Sequence, residues 1–251
     1  MITKEQIQDL SKKLNIDWYS ILREYIQIVF LSTLYNEKDS QEVFFKGGTS
    51  LRLLLNSFRF SEDLDFTTKL DIKENEKLVN IAVEKANLTI PNLTFKKSKS
   101  IAQSYCGSIK YQSDEYKYPL SIHVEFSHGE KPITKKESLL DTPFPVSPYP
   151  IIVHMSWEEI LAEKIRALMT RAKGRDLFDI YYLLSKGIKI DMKLVNKKLE
   201  LINKEGSIDE IIKKIKSFNN ENLVNDLNKY LPTTHRKITS SLQEMVLEKL
   251  K

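Results

Sequence analysis

The apolar positions between residues 5 and 35 recur at intervals of three and four, with Ile21, Leu22, Tyr25, Ile26, Val29, Phe30 and Leu34 on one helical face. The spacing predicts one or two amphipathic helices there, and Asp17 is placed to cap the denser part. Val43, Phe44 and Phe45 then form a short apolar run ending at Lys46-Gly47-Gly48, and Leu51, Leu53, Leu54 and Leu55 predict a helix beginning near Thr49. Leu64 and Phe66 alternate with Asp63 and Asp65, the two-residue period of a strand with one polar face. Residues 72–88 return to a helical pattern.

The middle of the chain is richer in strand signals. Ile109 and Tyr111, then Leu120, Ile122, Val124 and Phe126, alternate with polar neighbours across the turn-prone Ser113-Asp114. Residues 129–150 hold Pro132, Pro143, Pro145, Pro148 and Pro150, which predicts an irregular connection. A short strand at Ile151-Ile152-Val153 leads to Ser156, with Glu159 three residues on, a capping-box pair. From there to residue 251 the pattern is helical, broken at Gly174, Gly187, Gly206 and Pro232. The class is therefore α+β: a mixed sheet flanked by helices over residues 1–155, followed by an all-helical part over residues 156–251.

Composition narrows the setting. A hydrophobic fraction of 41% is enough to build a core without covalent staples. Cys106 is the sole cysteine, which rules out an intramolecular disulfide and a cluster of cysteine ligands. The N-terminal residues lack the charged-then-apolar order of a secretory signal. No apolar run approaches the about 20 residues that span a bilayer. A cytoplasmic protein without membrane attachment is expected. The net charge of +5 is compatible with a polyanionic partner, and equally with a lysine-rich composition that has no clustered patch.

Residues 46–66 carry the chemistry. Two glycines permit the positive φ and close backbone approach that a phosphate-hugging turn requires. A helix starting just beyond them aims free N–H groups and the positive end of its dipole at bound phosphates, and Thr49 or Ser50 can add a hydroxyl. Asp63 and Asp65 project to one face of their strand, where two carboxylates can share Mg²⁺ with substrate phosphates. Taken singly, a Gly-Gly is usually only a turn and an Asp-x-Asp only a solvated strand face; their order and spacing here make a unit.

Lys46-Gly47-Gly48-Thr49-Ser50-Leu51 followed by Arg59-Phe60-Ser61-Glu62-Asp63-Leu64-Asp65-Phe66 resembles the AbiEii/AbiGii family of nucleotidyltransferase-like toxins, within the DNA polymerase β-like nucleotidyltransferase superfamily. The resemblance continues through residues 158–168, Arg171, and Arg175-Asp176-Leu177-Phe178-Asp179-Ile180-Tyr181. It implies a nucleotidyltransferase core over residues 1–155 and a helical domain, residues 156–251, contributing to the active-site cleft. It further implies that Asp63 and Asp65 hold the metal and that a later strand supplies a third carboxylate. Glu125, in Ile122-His123-Val124-Glu125-Phe126, is the candidate, although a strand glutamate paired with a lysine fits the same pattern. His123 shares its face and is read as a hydrogen-bonded structural residue. Gly47, Gly48, Thr49 and Ser50 would line the nucleotide, while Arg59 and Ser61 would either contact phosphate or cap the turn.

On the later helix, Ile160, Leu161, Ile165, Leu168 and Met169 make the buried stripe, with Lys164 and Arg171 along one edge and Glu159, Glu163 and Arg166 turned to solvent. Lys164 is expected to reach phosphates as a point charge with its stem covered, and Arg171 to add to nucleotide binding. Asp176 would orient one of the two, and Asp179 would be structural. The alternative is a purely structural network among Lys164, Arg171, Arg175 and Asp176.

The resemblance thus implies Mg²⁺-dependent transfer from an NTP to an acceptor, with tRNA or another RNA first, and a cognate antitoxin as partner. A protein or a small molecule such as an aminoglycoside is the rival acceptor. A non-catalytic module that only holds nucleotide or antitoxin is the rival class.

Overall fold

The computed structural model describes residues 1–98, 103–114, 119–171 and 173–250. The chain packs as two compact units, one of residues 1–56 and 60–155, the other of residues 57–59 and 156–251.

In the first unit, α1 (Lys4–Leu14) and α2 (Trp18–Tyr35) are separate helices. The break is local: Asn15 turns left-handed at φ 53° and returns its N–H to Lys12 and Ser11 carbonyls. Asp17 then caps α2, its Oδ1 accepting from the Ser20 N–H at 2.9 Å. Strand β1 (Val43–Lys46) runs straight into α3 (Gly47–Leu54), so that helix starts at Gly47 and not two residues later. Gly47 makes the abrupt entry with φ +78°. After β2 (Leu64–Thr68), α4 (Ile72–Thr89) opens on an Asp71–Glu74 capping box.

Strands β3 (Leu93–Lys97), β4 (Ser104–Tyr111), β5 (Leu120–Ser127), β6 (Lys136–Leu139) and β7 (Ile151–His154) complete, among the described residues, a mixed seven-stranded sheet in the order β3-β4-β5-β2-β1-β7-β6. The β2–β5 and β1–β7 pairs are parallel, and the other pairs are antiparallel. The irregular connection expected over residues 129–150 therefore contains a strand, β6. Its Lys-Glu-Ser-Leu sequence has no buried side chain, and it is held by pairing to β7.

Alternation gives the central strands two unlike faces. Leu120, Ile122, Val124 and Phe126 of β5, with Leu64 and Phe66 of β2, are buried. Phe66 stacks on Phe126 with ring centroids 4.7 Å apart, and Tyr105 joins at 6.1 Å. Helices α2 and α4 pack on one another and against this sheet. Ser121, His123, Glu125 and Ser127 line the opposite face of β5 at exposed or half-buried positions. Hydrophobic burial on one side thus sets the register that presents polar groups on the other.

The second unit contains α5 (Trp157–Arg171), α6 (Gly174–Ser185), α7 (Met192–Glu200), α8 (Ile208–Lys216), α9 (Asn220–Leu227) and α10 (Leu242–Lys249). Helix α5 packs on α6 and α7, and α6 also packs on α9 and α10. Ser57–Arg59 belongs to this unit: Phe58 meets Phe178 edge-on at 5.0 Å and stacks on His235 at 4.5 Å. Among the described residues, no helix is long and apolar enough to cross a membrane.

Phe126→Ala should lower the stability of the sheet unit by roughly 3–5 kcal/mol, the usual cost of deleting a buried aromatic ring. A fall in the urea midpoint at unchanged slope is the measurement.

Candidate active site

The polar sheet face gathers the predicted acids. Asp65 on β2 lies in register with Lys46 on β1 and Glu125 on β5, and Glu125 is in turn opposite Cys106 on β4. Cross-strand partners share a face, so Lys46, Asp65, Glu125 and Cys106 form one row across four strands. Asp63 precedes β2 by one residue and shares the parity of Asp65. Asp63, Asp65 and Glu125 are all half-buried.

The turn after β1 is built against this row. A Cβ added to Gly47 would overlap the Asp65 carboxylate, and the positive φ excludes ordinary side chains in any case. The backbone of Gly47 therefore runs directly beside a carboxylate. The Thr49 hydroxyl donates to the Asp63 carbonyl, and the Ser50 hydroxyl donates to the Gly47 carbonyl at 2.9 Å. Both residues are buried, so these hydroxyls shape the turn and do not face outward. Gly47, Gly48 and Thr49 stand in the first turn of α3, where N–H groups lack helical acceptors, and of the three Gly47 is the one that is not buried.

Ser61 sits on a strap fixed to α2, where Gln27 Nε2 donates to the carbonyls of Ser61 and Glu62 at 3.2 and 3.0 Å. Arg23 anchors the same strap by an ion pair to Glu62 at 3.1 Å. Lys46 carries no role in the sequence reading, yet its ammonium is ion-paired to Glu130, a buried residue within the proline-rich connection. The spacing of 84 positions gave no sign of that pair.

Whether the acids suit a divalent ion can be judged from their donors. Three carboxylates on one face, two of them directly opposed on adjacent strands, supply the hard oxygen ligands that Mg²⁺ takes. The missing side chain at Gly47 is what leaves room for the Asp65 carboxylate beside it. The set fits. Glu125 also accepts from the Ser104 hydroxyl at 2.9 Å, so it pairs with a serine where a lysine was the alternative.

In the helical unit, two buried carboxylates organise the cations. Asp179 receives Arg59 Nε and Nη2, both at 2.9 Å, and Lys164 Nζ at 2.7 Å. Asp176 receives Arg171 through two bonds of 2.8 Å, with Lys164 at 3.8 Å. Arg59 is only 2% exposed, so its guanidinium fork closes an internal pair in place of reaching a phosphate. Arg171 differs: its side chain is 53% exposed while its fork is held on Asp176. Lys164, at 11% exposure, sits between the two carboxylates.

Burial alone would push the Asp179 carboxyl upward; the Arg59 guanidinium and Lys164 ammonium outweigh that and hold it below the usual carboxylate range. Glu159 is a correction. Expected at the surface, it is fully buried and pairs at 2.7 Å with Lys198 of α7, which also meets Glu163 at 3.1 Å. A lysine 39 positions away in sequence gave no local sign of this partnership.

Comparison with known proteins follows the same lines. The family described as nucleotidyl transferase AbiEii toxin, type IV TA system, matches residues 29–248. In structure the chain is similar to MenT4, a nucleotidyltransferase toxin from Mycobacterium tuberculosis H37Rv, with TM-score 0.63, 18% identity and coverage of 99% of this chain and 90% of that one. It is also similar to JHP933 from Helicobacter pylori, with TM-score 0.57, 18% identity and 94% of each chain covered. No curated protein matches in sequence. At these identities the structural likeness speaks for the fold.

Asp179→Asn should destabilise the helical unit by roughly 3–5 kcal/mol at neutral pH, because two buried cations lose their shared carboxylate. The wild-type contribution is full above the unfolded-state pKa and is lost as pH falls through the lower folded-state value. Unfolding measured across an acid pH series should show that loss in the wild type and not in the variant.

Proposed function

Because the chain belongs to the AbiEii family of nucleotidyl transferase toxins of type IV toxin–antitoxin systems, we propose that it transfers a nucleotide from an NTP to an RNA acceptor, tRNA first, in a Mg²⁺-dependent reaction. A nucleotidyltransferase of this class takes an NTP as substrate and has an antitoxin as its functional partner. The observation that carries the finer reading is the row in which Asp65 and Glu125 face each other beside the bare backbone of Gly47.

Asp63, Asp65 and Glu125 would hold the ion. The chemistry such an ion supplies is Lewis acidity, which eases deprotonation of an attacking hydroxyl and offsets charge on the departing pyrophosphate. The chain's own groups do the rest. The first-turn N–H groups at Gly47, Gly48 and Thr49 bind phosphate oxygens, aided by the dipole of α3. Asp63 or Glu125 takes the proton of the acceptor hydroxyl. In the helical unit, Lys164 is assigned to phosphate as a point charge, and Arg171, its side chain 53% exposed, to the same class of ligand. Asp176 and Asp179 orient them. The rate gain comes from positioning and electrostatics.

An RNA acceptor is supported by exposed cations on the helical unit, among them Lys186, Lys193, Lys197, Lys213 and Lys216. The test is incubation with each labelled NTP and separate pools of total tRNA, protein and aminoglycoside-type small molecules, with Mg²⁺ and with a chelator. Label on tRNA, lost on chelation, is expected. Label on another pool replaces the acceptor, and no label on any pool leaves only a binding module.

Asp63→Ala and Asp65→Ala should each lower transfer by at least about 100-fold, in the range of losing a principal charge-stabilising group, with folding retained. Wild-type activity in either variant removes the carboxylate pair from the mechanism. Lys164→Ala should also lower transfer strongly, and an unchanged rate makes Lys164 structural. Relief of growth inhibition in cells should follow the same order.

A further inference from the structure

On the same polar sheet face, nucleotide transfer leaves two metal-ligating side chains unused. Cys106 of β4 is directly opposite Glu125 of β5, and His123 lies one alternation earlier on β5. One ligand atom from each, a sulfur, an imidazole nitrogen and a carboxylate oxygen, lies within 4.8 Å of the other two. Ligands bonded tetrahedrally at about 2.0–2.3 Å stand about 3.3–3.8 Å apart, so the gap is a small rotation of side chains on a fixed sheet. His123 is exposed and free to make it.

We propose that Cys106, His123 and Glu125 bind a divalent ion of the zinc class. The donor types decide the class. Thiolate and imidazole favour Zn²⁺ and its softer neighbours, whereas Mg²⁺ takes oxygen ligands and has no use for sulfur. Three protein ligands leave a fourth position for water, the composition of an open site and not of a closed structural one. The Ser104 hydroxyl, 2.9 Å from Glu125 Oε1, is the outer hydrogen bond that keeps the carboxylate turned.

A second consequence rests on the transferase reading. Glu125 is also opposite Asp65, so an ion held by Cys106 and His123 withdraws the carboxylate assigned to Mg²⁺. Zinc at micromolar levels would then inhibit transfer in millimolar magnesium.

The experiment uses the full chain, stripped of metal and titrated with Zn²⁺ or Co²⁺ in excess Mg²⁺. One equivalent should bind, and the cobalt form should show a sulfur-to-cobalt charge-transfer band in the near ultraviolet. Cys106→Ser should remove that band, and Cys106→Ser and His123→Ala should each weaken zinc binding at least about tenfold. Asp63→Ala, outside the donor set, should leave band and affinity unchanged. Should Cys106→Ser fail to fold, the wild-type band and the exposed His123→Ala variant carry the test alone. A folded chain with no cobalt–thiolate band, or one-equivalent binding unmoved by both variants, overturns the proposal. Binding without inhibition upholds the zinc site and takes Glu125 out of the magnesium set.

Discussion

Asp65 and Glu125 are two like charges on neighbouring parallel strands, and they stay together because of what lies behind them. Separating them would slide β2 past β5 and unstack Phe66 from Phe126, whose rings are 4.7 Å apart in a buried layer. A one-residue slip would turn every side chain of β2 over, sending Asp65 into the core and Phe66 into water. The cost of burying an unpaired carboxylate far exceeds the mutual repulsion of two half-exposed ones. Hydrophobic packing on one side of the sheet is thus what concentrates negative charge on the other.

Both units bury carboxylates against cations; in the first, Glu24 pairs with Arg52 and Glu130 with Lys46. In the helical unit, each buried carboxylate is surrounded by cations: Arg59 and Lys164 on Asp179, Arg171 on Asp176, and Lys198 on Glu159. Such pairs contribute geometry more than stability, since desolvation offsets most of the attraction. Their effect is to hold the Lys164 ammonium and the Arg171 fork in set positions. On the polar sheet face Asp63, Asp65 and Glu125 are half-buried, and carbonyl-bound hydroxyls at Thr49 and Ser50 shape the adjoining turn.

Much of this was legible from the sequence wherever a side chain's period carried the information. The Leu64/Asp65/Phe66 alternation, the β5 run from Leu120 to Phe126 and the Asp17 cap all depend on neighbours within a few positions, and they stand as the pattern implied. Strands β3 and β6 did not register. They are the two outer strands of the sheet, with one buried side chain and none respectively, so little hydrophobic alternation marks them. Partnerships across long separations were equally silent. Glu159 reads as a surface residue until Lys198 arrives from another helix, Arg59 reads as a loop cation until Asp179 encloses it, and Cys106 meets His123 only through the register of β4 on β5. Strand alternation supplied Asp63 and Asp65 as candidates and the edge of a helical stripe supplied Lys164, but neither pattern says which hydroxyls in the glycine turn already have partners.

Ser57–Arg59 gives the covalent order an unexpected weight. These three residues leave the first unit after Asn56 and belong to the helical one, with Phe58 between Phe178 and His235. The polypeptide therefore cannot be cut at residue 155 into two self-sufficient halves. A fragment ending there would carry an aromatic ring and a guanidinium stripped of their surroundings, and the complementary fragment would keep a vacant slot beside Phe178 and a carboxylate short of one cation. Interleaving of this kind makes the helical bundle an integral limb of the molecule, and not an appendage that could be exchanged between proteins at a single splice.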